Sequence, residues 1–213
     1  MPATPDSADL LGLGAVFTLL FVTLGPLKIL GPFVQETRNV AAPMLRQVAL
    51  RAFVIALVAV VAGGFIGKAL LGNWNISVAA LEMSGGIIFF LVGLRLVLEQ
   101  YNTVRAAPEP LPEAPMAAAM RVTFPLVVTP YGIAALIVML ANSPDSARTL
   151  SVLAILAGVM VLNLLAMLFA RQIMAGLMVI VLQILGAVLG VLQVALAVEM
   201  MVHGLQGLGV LPA

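Results

Sequence analysis

Residues 10–33 read LLGLGAVFTLLFVTLGPLKILGPF, an apolar run holding one charge, Lys28, and two Gly-Pro steps, Gly25-Pro26 and Gly31-Pro32. A bilayer core about 30 Å thick takes roughly 20 apolar residues of helix, so the run is long enough to cross. Proline lacks a backbone N–H and clashes with the carbonyl four residues back. Two such steps so close together predict a membrane helix that breaks or kinks sharply near its end. Backbone groups freed by a break cost several kcal/mol each in lipid, so the break must lie against protein or a watery cavity.

The rest of the chain repeats that character. Of 213 residues, 63% are hydrophobic and 9% charged, with a mean hydropathy of +1.20. An ordinary globular domain is about 45–50% apolar and about 25% charged. Too few polar residues remain to coat a water-soluble particle. Six stretches reach spanning length: Leu10–Phe33, Val48–Leu71, Ile76–Leu98, Val122–Ala141, Leu150–Ala170 and Leu177–Val202. The expected fold is therefore all-α and polytopic. Met1–Leu10 carries Asp6 and Asp9 but no Lys or Arg, so the first run is read as a permanent helix and not a cleaved signal peptide.

Short connections join these stretches except at Glu99–Arg121, where Pro108, Pro110, Pro112 and Pro115 alternate with Glu109 and Glu113. Such a segment predicts an extended linker over 101–121, dividing repeat one (1–100, helices one to three) from repeat two (122–213, helices four to six). Arg38, Arg46, Arg51, Arg95, Arg105, Arg121 and Arg171 fall after the first, third and fifth spans, against Lys68 and Arg148 on the other side. The positive-inside rule then places the linker in the cytoplasm and both termini outside a bacterial inner membrane.

The two halves echo each other. Phe21-Val-Thr-Leu-Gly-Pro26 is answered by Phe124-Pro-Leu-Val-Val-Thr-Pro130-Tyr-Gly132, an offset of 130 − 26 = 104. Ser84-Gly85-Gly86 is answered by Gly186 and Gly190, with 186 − 85 = 101. Three helices per half make such a repeat inverted across the bilayer. An inverted repeat with a Gly/Pro-interrupted helix in each half points to a secondary transporter's binding site. Shared apolar composition and packing kinks are the plainer explanations.

Lys28 and Glu82 are the charges most clearly inside apolar spans, where a charge usually faces the bundle interior and marks a pathway or a pair. A break in the first helix would let the two approach; otherwise Lys28 snorkels to the surface. Asn163, Gln183 and Gln193 are neutral polar groups suited to interhelical hydrogen bonds or a polar cavity, and Gly63-Gly64 with Gly67 to close helix contact. The chain has no cysteine, a single histidine (His203) at the end of the last span, no phosphate-binding loop and no basic patch. Nothing here directs the reading toward an enzyme, a bound cofactor, a metal centre or a nucleic-acid partner. Coupling to protons or sodium is left open.

These residues resemble the MarC family of bacterial membrane proteins, placed in the broader lysine-exporter superfamily. The family's first helix typically ends in Asn-Pro-x-Gly-x-x-Pro-x-Phe followed by a Thr, here Gly25-Pro-Leu-Lys-Ile-Leu-Gly-Pro-Phe33 with Thr37. Asn75-Ile-Ser-Val-Ala-Ala-Leu-Glu-Met-Ser-Gly-Gly86 resembles its third helix, Pro125-Leu126 with Pro130-Tyr-Gly-Ile133 its fourth, and Gly186 to Gly204 its sixth. Gly25 replaces the usual Asn, Lys28 the usual Gly, Gly31 the usual Pro and Glu82 the usual Arg. The resemblance implies movement of small neutral amino acids such as glycine or alanine.

Together these readings predict a 3+3 inverted repeat with helices one and four broken. A substrate site is expected from Thr23, Gly25, Pro26, Lys28, Glu82, Gly85, Gly86, Thr129, Pro130, Gly132 and Asn163. Helix N-termini at the breaks would offer donors to a carboxylate. The expected partners are a small solute, the lipid bilayer and a second copy through glycine-rich helix faces. A channel-like pore and a non-transporting scaffold or stress-response protein are the competing functions.

Overall fold

The computed structural model describes residues 12–99, 111–112, 114–175 and 178–212, and among them it contains helices, turns and no strand. The first apolar run divides into α1 (Leu13–Leu24) and α2 (Leu27–Glu36). Between them Gly25 is extended, at φ −76° and ψ 172°, so the break falls at the first Gly-Pro step. The second step does not break the chain, contrary to expectation: α2 runs through Gly31 and Pro32. Pro32 forfeits one hydrogen bond, but Ile29, Leu30 and Phe33 on α2 are buried, and that packing holds the helix together.

The second span is α3 (Ala42–Asn73), and the third is α4 (Val78–Glu99). At 32 residues α3 is about 48 Å long, more than a bilayer core requires. Its buried positions Val48, Ala52, Ala56, Val60 and Gly64 recur every four residues, forming one stripe along the helix. Gly63, Gly64 and Gly67 continue that stripe as expected. A Cβ on Gly64 would lie 2.6 Å from Leu136, and one on Gly67 would lie 2.2 Å from Ile137. A side chain at either position would have to displace Leu136 or Ile137, so the glycines allow α3 its close approach to α6.

The latter part of the expected linker is not extended. Pro115–Val122 forms α5, with Pro115 in the first turn, where proline's missing donor is harmless, followed by strong helix formers. Ala118, Ala119 and Val122 bury against the bundle. Residues 100–110 and Glu113 lie outside the described residues. The fourth span is broken as expected, over several residues. A π-helical turn (Thr123–Val127) with Phe124 in extended conformation leads to an extended Val128 and Thr129, and α6 (Pro130–Ala141) starts at the proline. Then follow α7 (Ser146–Leu168), the single turn α8 (Ala170–Ile173) and α9 (Met178–Gly207).

Among the described residues three helical stretches are long and apolar enough to cross a membrane: Val16–Glu36, Ala42–Asn73 and Ser146–Leu168. Val78–Leu91 and Pro130–Ala141 are shorter apolar helices. Large apolar side chains such as Val54, Val58, Ile66, Leu150 and Val191 remain exposed along the bundle, as a lipid-facing surface requires. Helices α4 and α9 pack along each other over most of their length. A Cβ on Gly86 would meet Met201 at 2.7 Å, and one on Gly204 would meet the Met83 backbone nitrogen at 2.8 Å. Gly85 and Gly86, expected at the substrate site, therefore serve helix contact; Met200 is the nearest neighbour of Gly85.

Candidate functional site

The two breaks meet. Helix α1 packs on α6, and α2 on the π-helical turn, so the extended stretches at Gly25 and at Val128-Thr129 face a common centre. A broken helix strands carbonyls at the end of its first half. In a continuous helix the backbone nitrogens of positions 26, 27 and 28 would face the Val22, Thr23 and Leu24 carbonyls. Proline has no N–H, and the chain turns away before the others can reach.

Two side chains take over that work. The Lys28 ammonium folds back to donate to the Thr23 carbonyl oxygen. The Asn163 amide, on α7 and fully buried, donates to the Leu24 carbonyl oxygen. The orientation of Asn163 is dictated by that carbonyl, which only an N–H can satisfy. Its other amide atom, Oδ1, is buried with no hydrogen-bond partner among the described residues. Asn163 thus bonds a neighbouring helix, as its residue type predicts, and it does so at the break.

Lys28 also joins the two halves of the chain. Its Nζ donates to Thr129 Oγ1 and to the Tyr131 hydroxyl, each at 3.3 Å, and lies 4.9 Å from the centroid of the Tyr131 ring. Thr129 caps α6, its Oγ1 accepting from the Gly132 N–H at 3.3 Å. Tyr131 is buried and packs on Phe89 of α4, with ring centroids 5.6 Å apart. The Thr23 hydroxyl donates to the Leu19 carbonyl at 2.8 Å, so it faces its own helix. Thr23 therefore contributes its carbonyl and not its hydroxyl. Gly25 and Gly132 are spacing residues: a Cβ would lie 1.8 Å from the Phe21 oxygen in the first case and 2.3 Å from Leu24 in the second. Pro26 sits at the N-cap of α2 and Pro130 is the first residue of α6.

Glu82 is not part of this centre, and the expected approach of Lys28 and Glu82 is not found. Glu82 Oε1 accepts from Asn142 Nδ2 at 3.2 Å, at the far end of α6. Twelve residues separate Pro130 from Asn142, or about 18 Å of helix. The break turns Lys28 back toward α1 and across to the start of α6, and Glu82 meets only the opposite end. No carboxylate lies within ion-pair reach of Lys28 among the described residues. Tyr131 is the site residue that the sequence reading passed over. Its place directly after Thr129-Pro130, where a half-helix starts, was the available signal.

Asn163→Leu leaves the Leu24 carbonyl without a donor in an apolar setting. The expected cost is about 1–3 kcal/mol, that of an unmet buried acceptor. Thermal unfolding of the purified variant in detergent measures it, and an unchanged midpoint would show the carbonyl is otherwise satisfied.

An all-helical apolar bundle whose polar centre sits between two broken helices defines an integral membrane protein. The chain belongs to the MarC family: the family's sequence model, described as MarC family integral membrane protein, matches residues 11–208. The chain is similar to UPF0056 membrane protein MJ1677 of Methanocaldococcus jannaschii, 28% identical over 194 residues, 90% of this chain and 94% of the relative. It also resembles a UPF0056 membrane protein of Buchnera aphidicola, 30% identical over 95 residues, 43% of this chain and 48% of the relative. No solved structure matches.

Proposed function

We propose that this chain is a secondary transporter of small carboxylate-bearing solutes, with small neutral amino acids such as glycine or alanine as the leading class. One observation carries the reading: the Lys28 ammonium sits at the meeting point of two helix breaks with no carboxylate partner among the described residues. A cation in low dielectric is costly without an anion. The start of α6 adds backbone donors and a partial positive charge beside it. A substrate carboxylate completes that charge balance, displacing the two long 3.3 Å contacts to Thr129 and Tyr131.

The reading takes the fold as six spans in a 3+3 inverted repeat. The packing supports it, because contacts come in exchanged pairs. Helix α1 packs on α7 as α5 packs on α3, α2 on α7 as α6 on α3, and α2 on α9 as α6 on α4, while α4 with α9 and α3 with α7 map onto themselves. In this reading both termini lie outside the inner membrane, the chain is not an enzyme, and glycine-bearing faces leave room for a second copy.

Counterflow in proteoliposomes tests the proposal. Vesicles preloaded with unlabelled glycine or alanine are expected to accumulate the labelled amino acid. Excess free amino acid should suppress uptake, whereas its amide or methyl ester, lacking the carboxylate, should not. A single-channel conductance without competition would favour a pore; neither signal in folded protein would favour the scaffold reading.

A further inference from the structure

The two half-helices that start at the central site end in matching arrangements at opposite ends of the molecule. At the end of α6, Lys68 of α3 donates from Nζ to the Leu140 carbonyl at 2.7 Å. At the end of α2, Arg171 of α8 donates from Nη2 to the Thr37 carbonyl at 2.6 Å and to the Val40 carbonyl. In each case a cation from one half of the chain donates to a carbonyl at the C-terminal end of a half-helix from the other half, Leu140 on α6 and the capping Thr37 on α2. The second Arg171 bond goes to Val40, in the connection beyond α2. The positions correspond in sequence: 171 − 68 = 103, close to the 104 that separates Pro130 from Pro26. Nothing in the motifs that mark the breaks requires these two cations, yet the structure puts them at equivalent places.

We infer that Lys68 and Arg171 are paired gate latches, each closing one membrane face of the path to the site, and that transport opens them in alternation. The inference rests on the transporter reading. A helix C-terminus carries unsatisfied carbonyls and a partial negative charge, so a cation placed there pins that end. With both pinned, the centre is closed from both sides. Release of Arg171 frees the end of α2 far from the centre, and release of Lys68 the far end of α6, on the opposite face. Both half-helices share the centre through Lys28, so opening one end favours closure at the other.

A further polar contact crosses each end. Glu36 of α2 pairs with Arg121 of α5 at 3.4 Å, and Asn142 beyond α6 donates to Glu82 of α4 at 3.2 Å. These go to elements that do not correspond between the halves, whereas Lys68 and Arg171 hold corresponding ends.

The chain has no cysteine, which makes single-cysteine labelling direct. Leu30 on α2 and Leu136 on α6 are buried between the centre and the two latches. Purified Leu30→Cys and Leu136→Cys proteins in detergent are labelled with a water-soluble maleimide, in otherwise native chains and with Arg171→Gln or Lys68→Gln added. Arg171→Gln is expected to raise the labelling rate at Leu30→Cys roughly tenfold, the lower end for losing a charge-assisted hydrogen bond, and to lower it at Leu136→Cys. Lys68→Gln should do the reverse. Arg171→Lys, which keeps a cation without the guanidinium fork, should fall between wild type and Arg171→Gln. Equal acceleration at both cysteines in either variant, or none in any, overturns the latches. Counterflow separates the two failures: wild-type exchange without the labelling asymmetry removes the latches and leaves the transporter, whereas asymmetry without exchange removes the transporter.

Discussion

Lys28→Met is expected to remove counterflow while leaving a folded protein. The side chain keeps nearly the same length and apolar stem, so α2 loses no packing. What disappears is the ammonium that contacts the Thr23 carbonyl, the Thr129 hydroxyl and the Tyr131 hydroxyl. The Thr23 carbonyl is left unmet, at about 1–3 kcal/mol, but an isolated cation also leaves the membrane interior, and the two effects oppose each other. Net stability should change little. Substrate binding has no such compensation, because the carboxylate loses its counter-charge. A charge-assisted hydrogen bond of about 1.5–3 kcal/mol corresponds to a loss of roughly 10- to 150-fold in affinity. Lys28→Arg keeps the charge and is expected to retain part of the exchange. If Lys28→Met exchanges amino acids at the wild-type rate, the carboxylate binds elsewhere.

Gly25→Ala is expected to be the most damaging single methyl group among the described glycines. Its backbone angles are ones that alanine adopts freely, so the penalty is not conformational. A Cβ there would stand 1.8 Å from the Phe21 carbonyl oxygen and 2.8 Å from its carbon, and neither is a flexible side-chain end. Relief requires moving the last turn of α1 against the buried Leu20 and Leu24. Over-packing of a tight interior costs about 1–3 kcal/mol and sometimes more. Here the moving part also carries the Leu24 carbonyl away from Asn163 and the Thr23 carbonyl away from Lys28. We expect a loss at or above the upper end of that range, read as a lowered thermal midpoint, with counterflow falling in parallel. Ala at Gly31, where a Cβ meets nothing within 4 Å, is the control and should behave as wild type.

Both experiments test a centre that was only partly legible beforehand. Composition and the lengths of apolar runs determine that this chain belongs in a bilayer, because burial of apolar area needs no knowledge of partners. Gly25-Pro26 and Thr129-Pro130 announce the breaks for the same local reason: proline cannot donate wherever it is placed. The stripe of Gly63, Gly64 and Gly67 announces a close contact but not with which helix.

Which groups satisfy the broken ends is decided by tertiary packing. Lys28 and Glu82 are both charges in apolar spans, and nothing local says that one turns to the centre while the other meets Asn142 at the far end of α6. Asn163 is separated by 139 positions from the carbonyl it serves, and Lys28 by 101 from the Thr129 hydroxyl. The continuation of α2 through Pro32 and the helix at Pro115–Val122 likewise follow from buried faces outweighing local signals. The sequence alone determined the solvent and the places where the helices break, since both follow from the chemistry of single residues. Only the tertiary structure decided which polar groups meet at those breaks, because hydrogen bonds between distant segments depend on how the helices pack.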